Sequence, residues 1–144
     1  MNADIVFRPL SLPDSESVEG LERIIFSTEA WTADLVEEEL SCPWAHYVGA
    51  FVGDTLVGYA GAKGELEIDV MTVGVHPDFR GRAIGWYLVE NLISWAGERP
   101  MFLEVRASND AAIRLYEKAG FSKLGRVRRY YRNPVEDAVT MVRQ

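Results

Sequence analysis

Apolar and polar positions along the chain fall into blocks with two periods, one near two residues and one near three and a half. Ile5–Leu10 (IVFRPL) reads as a first strand. Ser11 with Asp14 three residues on, and Pro13 between them, has the form of a helix start. Val18, Leu21, Ile24 and Ile25 then recur at helical spacing. Thr32 caps a second short helix within TADLVEEELS. AHYVGAFV and TLVGYAGAK flank Gly53-Asp54 as the arms of a hairpin, and LEIDVMTVGV is the next strand. Ile84–Ala96 is a long helix, and MFLEVRA after Pro100 is a strand. Asn109 caps the helix DAAIRLYEKA, which Gly120 ends. SKLGRVRRYYR and EDAVTMVR supply two final strands.

The order is β-α-α-β-β-β-α-β-α-β-β. A helix separates the fourth and fifth strands, so these two are expected to be parallel and adjacent, with the rest antiparallel. The expectation is an α/β fold with a mixed, mainly antiparallel, seven-stranded sheet and helices on both faces.

Composition narrows the class. At 144 residues the chain is expected to form a single domain, residues 1–144. No run approaches the roughly 20 apolar residues that span a bilayer. The start, MNADIVFRPLS, has no signal-peptide pattern. Cys42 is the only cysteine, which suits a reducing, cytoplasmic setting. The net charge of −7 speaks against nucleic acid as a partner and permits a basic one.

Chemistry first shows in Val73–Gly85, VGVHPDFRGRAIG. A strand runs into a glycine- and arginine-bearing loop and then into a helix N-terminus. Free amides and the positive helix end make such a junction suited to a pyrophosphate; a tight strand-to-helix turn is the simpler reading of the same residues. Arg80-x-x-Ala83-x-Gly85 resembles the acyl-CoA pyrophosphate loop, Q/R-x-x-G-x-G/A, of the GCN5-related N-acetyltransferase (GNAT) superfamily. Ala83 stands where that pattern has glycine; a Cβ there is tolerable if the residue has helical φ/ψ, and it leaves less room for the phosphates.

Leu103–Phe121, LEVRASNDAAIRLYEKAGF, is similar to the ribosomal-protein N-terminal-alanine acetyltransferases, the RimI-like branch of that superfamily. Arg128–Met141 (RRYYRNPVEDAVTM) and Ala30–Thr32 (AWT) resemble two further blocks of the branch. The resemblance implies the GNAT acyl-CoA N-acyltransferase fold, with the parallel fourth and fifth strands splayed. It implies acetyl-CoA as co-substrate, no metal, direct transfer, and a protein or peptide N-terminus as acceptor, on a basic ribosomal protein. Carried over residue by residue, it places Val73, Gly74 and Val75 at the thioester and pantetheine arm. Arg80, Gly81, Arg82, Ala83, Ile84, Gly85 and Trp86 form the pyrophosphate loop, and Asn109 contacts the cofactor. Glu104 is then the general base, Tyr116 the general acid, and Trp31 and Tyr131 lie near the incoming peptide.

The residues themselves leave some alternatives open. Glu104 interrupts the apolar run FLEV, where burial would raise its pKa toward that of a working base. Alternation also allows it to lie on the polar face of its strand, beside Arg106. Tyr116 is either an acid for the leaving thiolate or a core tyrosine on the apolar helix face with Ala112, Leu115 and Ala119. An α-amine of pKa ~8 is more easily deprotonated than a lysine of ~10.4, which favours an N-terminus as acceptor. An acetyltransferase for small amines or other N-termini, and a non-catalytic acyl-CoA sensor, are the competing functions; retention of both Glu104 and Tyr116 speaks against the sensor. Cys42 and His46 lack an orienting carboxylate, and His46 and His76 lack metal-ligand company. Arg126, Arg128, Arg129 and Arg132 read as a solvated strand, and Glu37–Glu39 as a solvated helix face. Glu65, Glu67 and Asp69, with Glu37–Glu39, are candidates for an acidic groove that favours a basic acceptor.

Overall fold

The computed structural model describes residues 4–144. The chain runs β1 (Ile5–Pro9), α1 (Ser15–Phe26), α2 (Ala33–Leu40), β2 (Ala45–Val52), β3 (Thr55–Lys63), β4 (Ile68–Val75), α3 (Ile84–Ala96), β5 (Met101–Arg106), α4 (Asp110–Lys118), β6 (Ser122–Arg132) and β7 (Val135–Arg143). Short 3-10 turns at Leu12–Asp14, Ser27–Glu29 and Pro77–Phe79 lead into or out of these elements. The seven strands form one sheet in the order β1-β2-β3-β4-β5-β7-β6. Only β4 and β5 are parallel. Element order and sheet type match the sequence expectation.

Local chemistry explains the boundaries. Pro13 and Asp14 open the entry to α1, where the Asp14 carboxylate accepts from the Ser11 backbone N–H at 2.9 Å. The Thr32 hydroxyl caps α2 by accepting from the Leu35 N–H at 3.2 Å. Asn109 caps α4 through its Oδ1, which accepts from the Ala112 N–H at 3.1 Å. Gly53, at φ +60, turns the β2–β3 hairpin.

The sheet is covered on both faces. On one face Ile84, Leu88 and Leu92 of α3 and Ile113 and Tyr116 of α4 pack against Val48, Val57, Ile68, Met101 and Met141 of the sheet. On the other, Val18 and Leu21 of α1 and Val36 of α2 pack on Tyr47, Phe51 and Tyr59. Covered twice, β3 is buried at seven consecutive positions, Leu56 to Ala62. Such a strand reads as a near-continuous apolar run rather than an alternating one.

Two details differ from the helical pattern in the sequence. Ile24 is 53 % exposed, and Glu22 takes a buried place on α1 beside Val18 and Leu21. Likewise Glu39, expected on a solvated face, is buried on α2. Its carboxylate accepts from the Tyr47 hydroxyl and from Lys63 Nζ, both at 2.5 Å. A carboxylate tolerates such burial only when its oxygens are met by donors. No helix among the described residues is long and apolar enough to cross a membrane.

Candidate active site

The site begins with a failure of pairing. β4 and β5 meet only through Ile68↔Met101 and Asp69↔Phe102, after which the parallel strands part. A bulge sits just beyond that point. Gly61 of β3 pairs with Thr72 and Ala62 with Val70, so Met71 is an extra residue in β4. Bulges bend a strand and sharpen its twist, and are common beside active sites. From Val70 onward β4 therefore turns one edge to no strand, and its backbone groups there are free to pair with an extended ligand.

A cavity of about 290 Å³ fills the resulting gap. Val70–Val73 of β4 and Leu103–Arg106 of β5 form its two sides. Phe26, Glu29 and Trp31 close it from the α1–α2 region, and Asn109, Ala112 and Tyr116 from α4; Glu22 and Tyr131 complete the wall. Six residues singled out in the sequence thus meet here: Trp31, Val73, Glu104, Asn109, Tyr116 and Tyr131.

Glu104 lies on the opposite side of β5 from buried Leu103 and Val105. Alternation does place it on the polar face with Arg106, and in this fold that face borders the cavity, where Glu104 stays open to solvent. Partial burial, and then the neighbouring Asp69 carboxylate, raise the Glu104 pKa above the ordinary carboxylate value. Tyr116 is buried against Phe121, ring centroids 5.8 Å apart, and still borders the cavity. Burial, and then Tyr131, raise its phenol pKa above the usual ~10. Tyr131 is half-buried, and burial followed by Tyr130 pushes it up to about 12. A long bulge delivers it: Val127 pairs with Ala138 and Tyr131 with Glu136, so β6 carries two more residues than β7 over this stretch.

Gly74, Val75 and the segment 80–86 lie outside the cavity lining, along β4 toward the N-terminus of α3. The first intrahelical bond of α3 runs from the Tyr87 N–H to the Ala83 carbonyl at 3.1 Å. The amides of Ile84, Gly85 and Trp86 precede it and have no partner within the helix. The first turn carries no acidic side chain, and Arg80 and Arg82 are exposed beside it. A Cβ built on Gly85 would meet Leu115 Cδ2 at 3.4 Å, an ordinary contact, so the surface over these amides is bare. This arrangement fits a pyrophosphate.

Ala83 does not have the helical backbone under which its Cβ would be tolerated without cost. It is the residue before α3 and adopts the left-handed conformation, φ 61° and ψ 16°, not a helical one. That is the conformation glycine takes freely and an L-residue takes at a cost of about 1–2 kcal/mol. Ala83→Gly removes this strain and adds less than that in unfolded-chain entropy. The expected result is a stabilised protein, by up to about 1 kcal/mol or a few degrees in Tm. Thermal unfolding of the two proteins measures it, and a lower Tm in the glycine variant would refute the strain.

Several participants escaped the sequence reading. Glu22 is 1 % exposed; its Oε1 accepts from the Trp31 N–H at 2.8 Å and its Oε2 from the Tyr59 hydroxyl. Burial raises its pKa against the effect of both bonds. The signal was present, since Glu22 stands four residues after Val18 within the apolar stripe of α1. Glu29, Phe26, Arg106 and the Met71 bulge carried no comparable signal. The carboxylates proposed for an acidic groove are not part of the cavity lining. Of Glu37–Glu39, Glu65, Glu67 and Asp69, none lines the cavity; its carboxylates are Glu22, Glu29 and Glu104. His46 is accounted for structurally, bonded to Asn91 at 2.7 Å and stacked on Trp95.

The acetyltransferase (GNAT) family model matches residues 16–121. The chain belongs to that family. Like other GNAT proteins it is an acyltransferase, and its likeness to named members runs over the whole chain. It is 40% identical over 152 residues to the N-alpha-acetyltransferase RimI of Mycobacterium tuberculosis, covering 99% of this chain and 96% of that protein. The crystal structure of the ribosomal-protein-S18-alanine N-acetyltransferase from Escherichia coli superposes with a TM-score of 0.89 at 26% identity, covering 97% of this chain and 93% of that one. NAA60 of Arabidopsis thaliana, solved in complex with acetyl-CoA, shares the fold at a TM-score of 0.85 and 22% identity, covering 96% and 97% of the two chains.

Proposed function

We propose that this GNAT protein transfers the acetyl group of acetyl-CoA to the α-amino group of an N-terminal alanine, on a small-subunit ribosomal protein. The observation that carries this reading is the convergence of Glu104, Tyr116, Trp31 and Tyr131 on one cavity between splayed strands. At about 290 Å³ it has room for a thioester end and the first residue of a chain. The E. coli structure named for alanine of ribosomal protein S18 supports the choice of acceptor, and the N-alpha-acetyltransferase RimI of M. tuberculosis supports an α-amino group.

When bound, acetyl-CoA supplies an activated acyl carbon at its thioester. The open edge of β4 at Val73–Val75 pairs with the pantetheine amides as a strand would, while the amides at 84–86 take the pyrophosphate. Asn109 Oδ1 is committed to its cap, which leaves the side-chain NH2 to donate to the cofactor. Glu104 takes the proton of the incoming ammonium, its raised pKa bringing it closer to that task. Tyr116, protonated throughout the physiological range, gives its proton to the departing thiolate. Trp31 and Tyr131 flank the acceptor's first residues. No acyl-enzyme is needed, since amine and thioester meet directly.

The test is thiol release from acetyl-CoA with three acceptors: an alanine-starting hexapeptide, the same peptide N-terminally blocked but carrying a lysine, and a small polyamine. Release is expected with the first alone. Equal use of the lysine peptide, or turnover only with the polyamine, would overturn the assignment.

A further inference from the structure

Three segments that are far apart in the sequence meet on one guanidinium at the cavity rim. Arg106 ends β5, and its side chain is 21 % exposed. Its Nη2 donates to Glu29 Oε1 at 2.5 Å, across 77 residues of chain, and to the Asn133 carbonyl at 3.4 Å. Its Nη1 donates to the Pro134 carbonyl at 3.0 Å and to Glu136 Oε1 at 3.3 Å. The same guanidinium lies 4.4 Å from the centroid of the Tyr131 ring. Glu136 passes the linkage on, its Oε2 accepting from the Ser108 N–H at 2.6 Å in the turn that leads into α4.

An isolated ion pair at this exposure would contribute little. The case here is different, because one planar fork meets two carboxylates, two carbonyls and an aromatic face in a fixed arrangement. Glu29 closes the 3-10 turn that precedes Ala30 and Trp31. Asn133, Pro134 and Tyr131 belong to the β6–β7 hairpin. Arg106, Glu29 and Tyr131 all line the cavity. These are the two walls between which an acceptor chain would enter, and no strand pairing joins them: β6 pairs only with β7, and the segment 27–32 is in no strand.

We infer that Arg106 is a positioning residue that clamps the α1–α2 connection and the β6–β7 hairpin at the spacing the acceptor peptide requires. It lines the cavity with Glu29 and Tyr131, and the α3 amides lie outside that lining, so its effect is expected on the acceptor side. The inference rests on the acetyl-transfer reading above for the identity of the acceptor.

Two variants and two readouts test it. Arg106→Lys keeps the charge and removes the fork; Glu29→Gln removes one ion pair and leaves the hairpin contacts. In Arg106→Lys the KM for the alanine-starting peptide is expected to rise about tenfold or more, the scale of one lost charge-assisted interaction. Its kcat should change less than its KM, and acetyl-CoA affinity by calorimetry should be unchanged. Amide hydrogen exchange should quicken at both 27–31 and 131–136 in Arg106→Lys, and at 27–31 alone in Glu29→Gln. Unchanged exchange at both segments in Arg106→Lys would overturn the clamp, as would an unchanged peptide KM where exchange has quickened. A parallel fall in acetyl-CoA affinity would also overturn it, by showing a general loss of structure. If the wild-type chain turns over no alanine peptide, the acceptor reading fails instead, and the exchange pattern alone decides the clamp.

Discussion

Gly85→Glu is expected to abolish acetyl-CoA binding in a protein that is folded and at least as stable as the wild type. The two halves of that expectation have separate causes. Within the protein, a Cβ at position 85 meets only Leu115 Cδ2 at 3.4 Å and Val75 Cγ2 at 3.9 Å, both ordinary contacts. Glutamate is the better helix former by about 0.5 kcal/mol, and a carboxylate in the first turn of α3 complements the helix dipole. Toward the cofactor the same change sets a negative charge beside the diphosphate and covers the bare amides of Ile84, Gly85 and Trp86. Two charges ~4 Å apart repel by about 4 kcal/mol at the effective dielectric of a protein surface, roughly a thousandfold in affinity. Calorimetry with acetyl-CoA, alongside thermal unfolding, checks both halves. Unchanged affinity in a folded variant would remove segment 80–86 from the cofactor site.

Tyr116→Phe should lower kcat by about 10²–10⁴-fold, the usual contribution of a positioned proton donor, with acetyl-CoA affinity near normal. The ring is held by packing on Phe121, which phenylalanine preserves, so the change isolates the hydroxyl. Glu104→Gln should fall by a similar factor and recover in part at high pH, where the amine is already neutral. The pH dependence follows in sign from the two shifts. Glu104 acts only when ionised and its pKa is raised, so the acid limb lies above the ordinary carboxylate range and activity falls as pH drops through it. Tyr116 acts only when protonated and its pKa is raised further above ~10, so it gives no falling limb up to about pH 9. The kcat/KM profile should therefore rise across this range without a descending arm. Near-wild-type turnover in Tyr116→Phe, measured where chemistry limits the rate, would end the general-acid assignment.

Much of this was legible in the chain alone. Period and punctuation predict every strand and helix, and β2, β3 and α3 begin and end at the predicted residues. Thr32, Asn109 and Gly53 act as the caps and turn their chemistry predicts. These features are local: a cap, a turn or an alternating run is decided by residues within one or two turns of each other. Local pattern also identifies Glu104 as out of place in an apolar run, without saying what it faces, while Tyr116 fits a core position and is singled out only by the family resemblance.

The rest depended on contacts between distant segments. Only the parting of β4 and β5 after Asp69↔Phe102 turns the polar face of a strand into the wall of a cavity. The left-handed backbone at Ala83 is set by how the loop enters α3, and a single sequence carries no record of φ. Glu22 and Glu39 violate the rule that charges lie outside, because Tyr59, Trp31, Tyr47 and Lys63, all distant or on other elements, supply the donors that make burial tolerable. Arg106 and Glu29 are 77 residues apart and meet at 2.5 Å. The sequence determined which elements exist and which residue types are available for chemistry. The tertiary structure decided which of them share a cavity, because burial and ion pairing are settled by neighbours in space rather than along the chain.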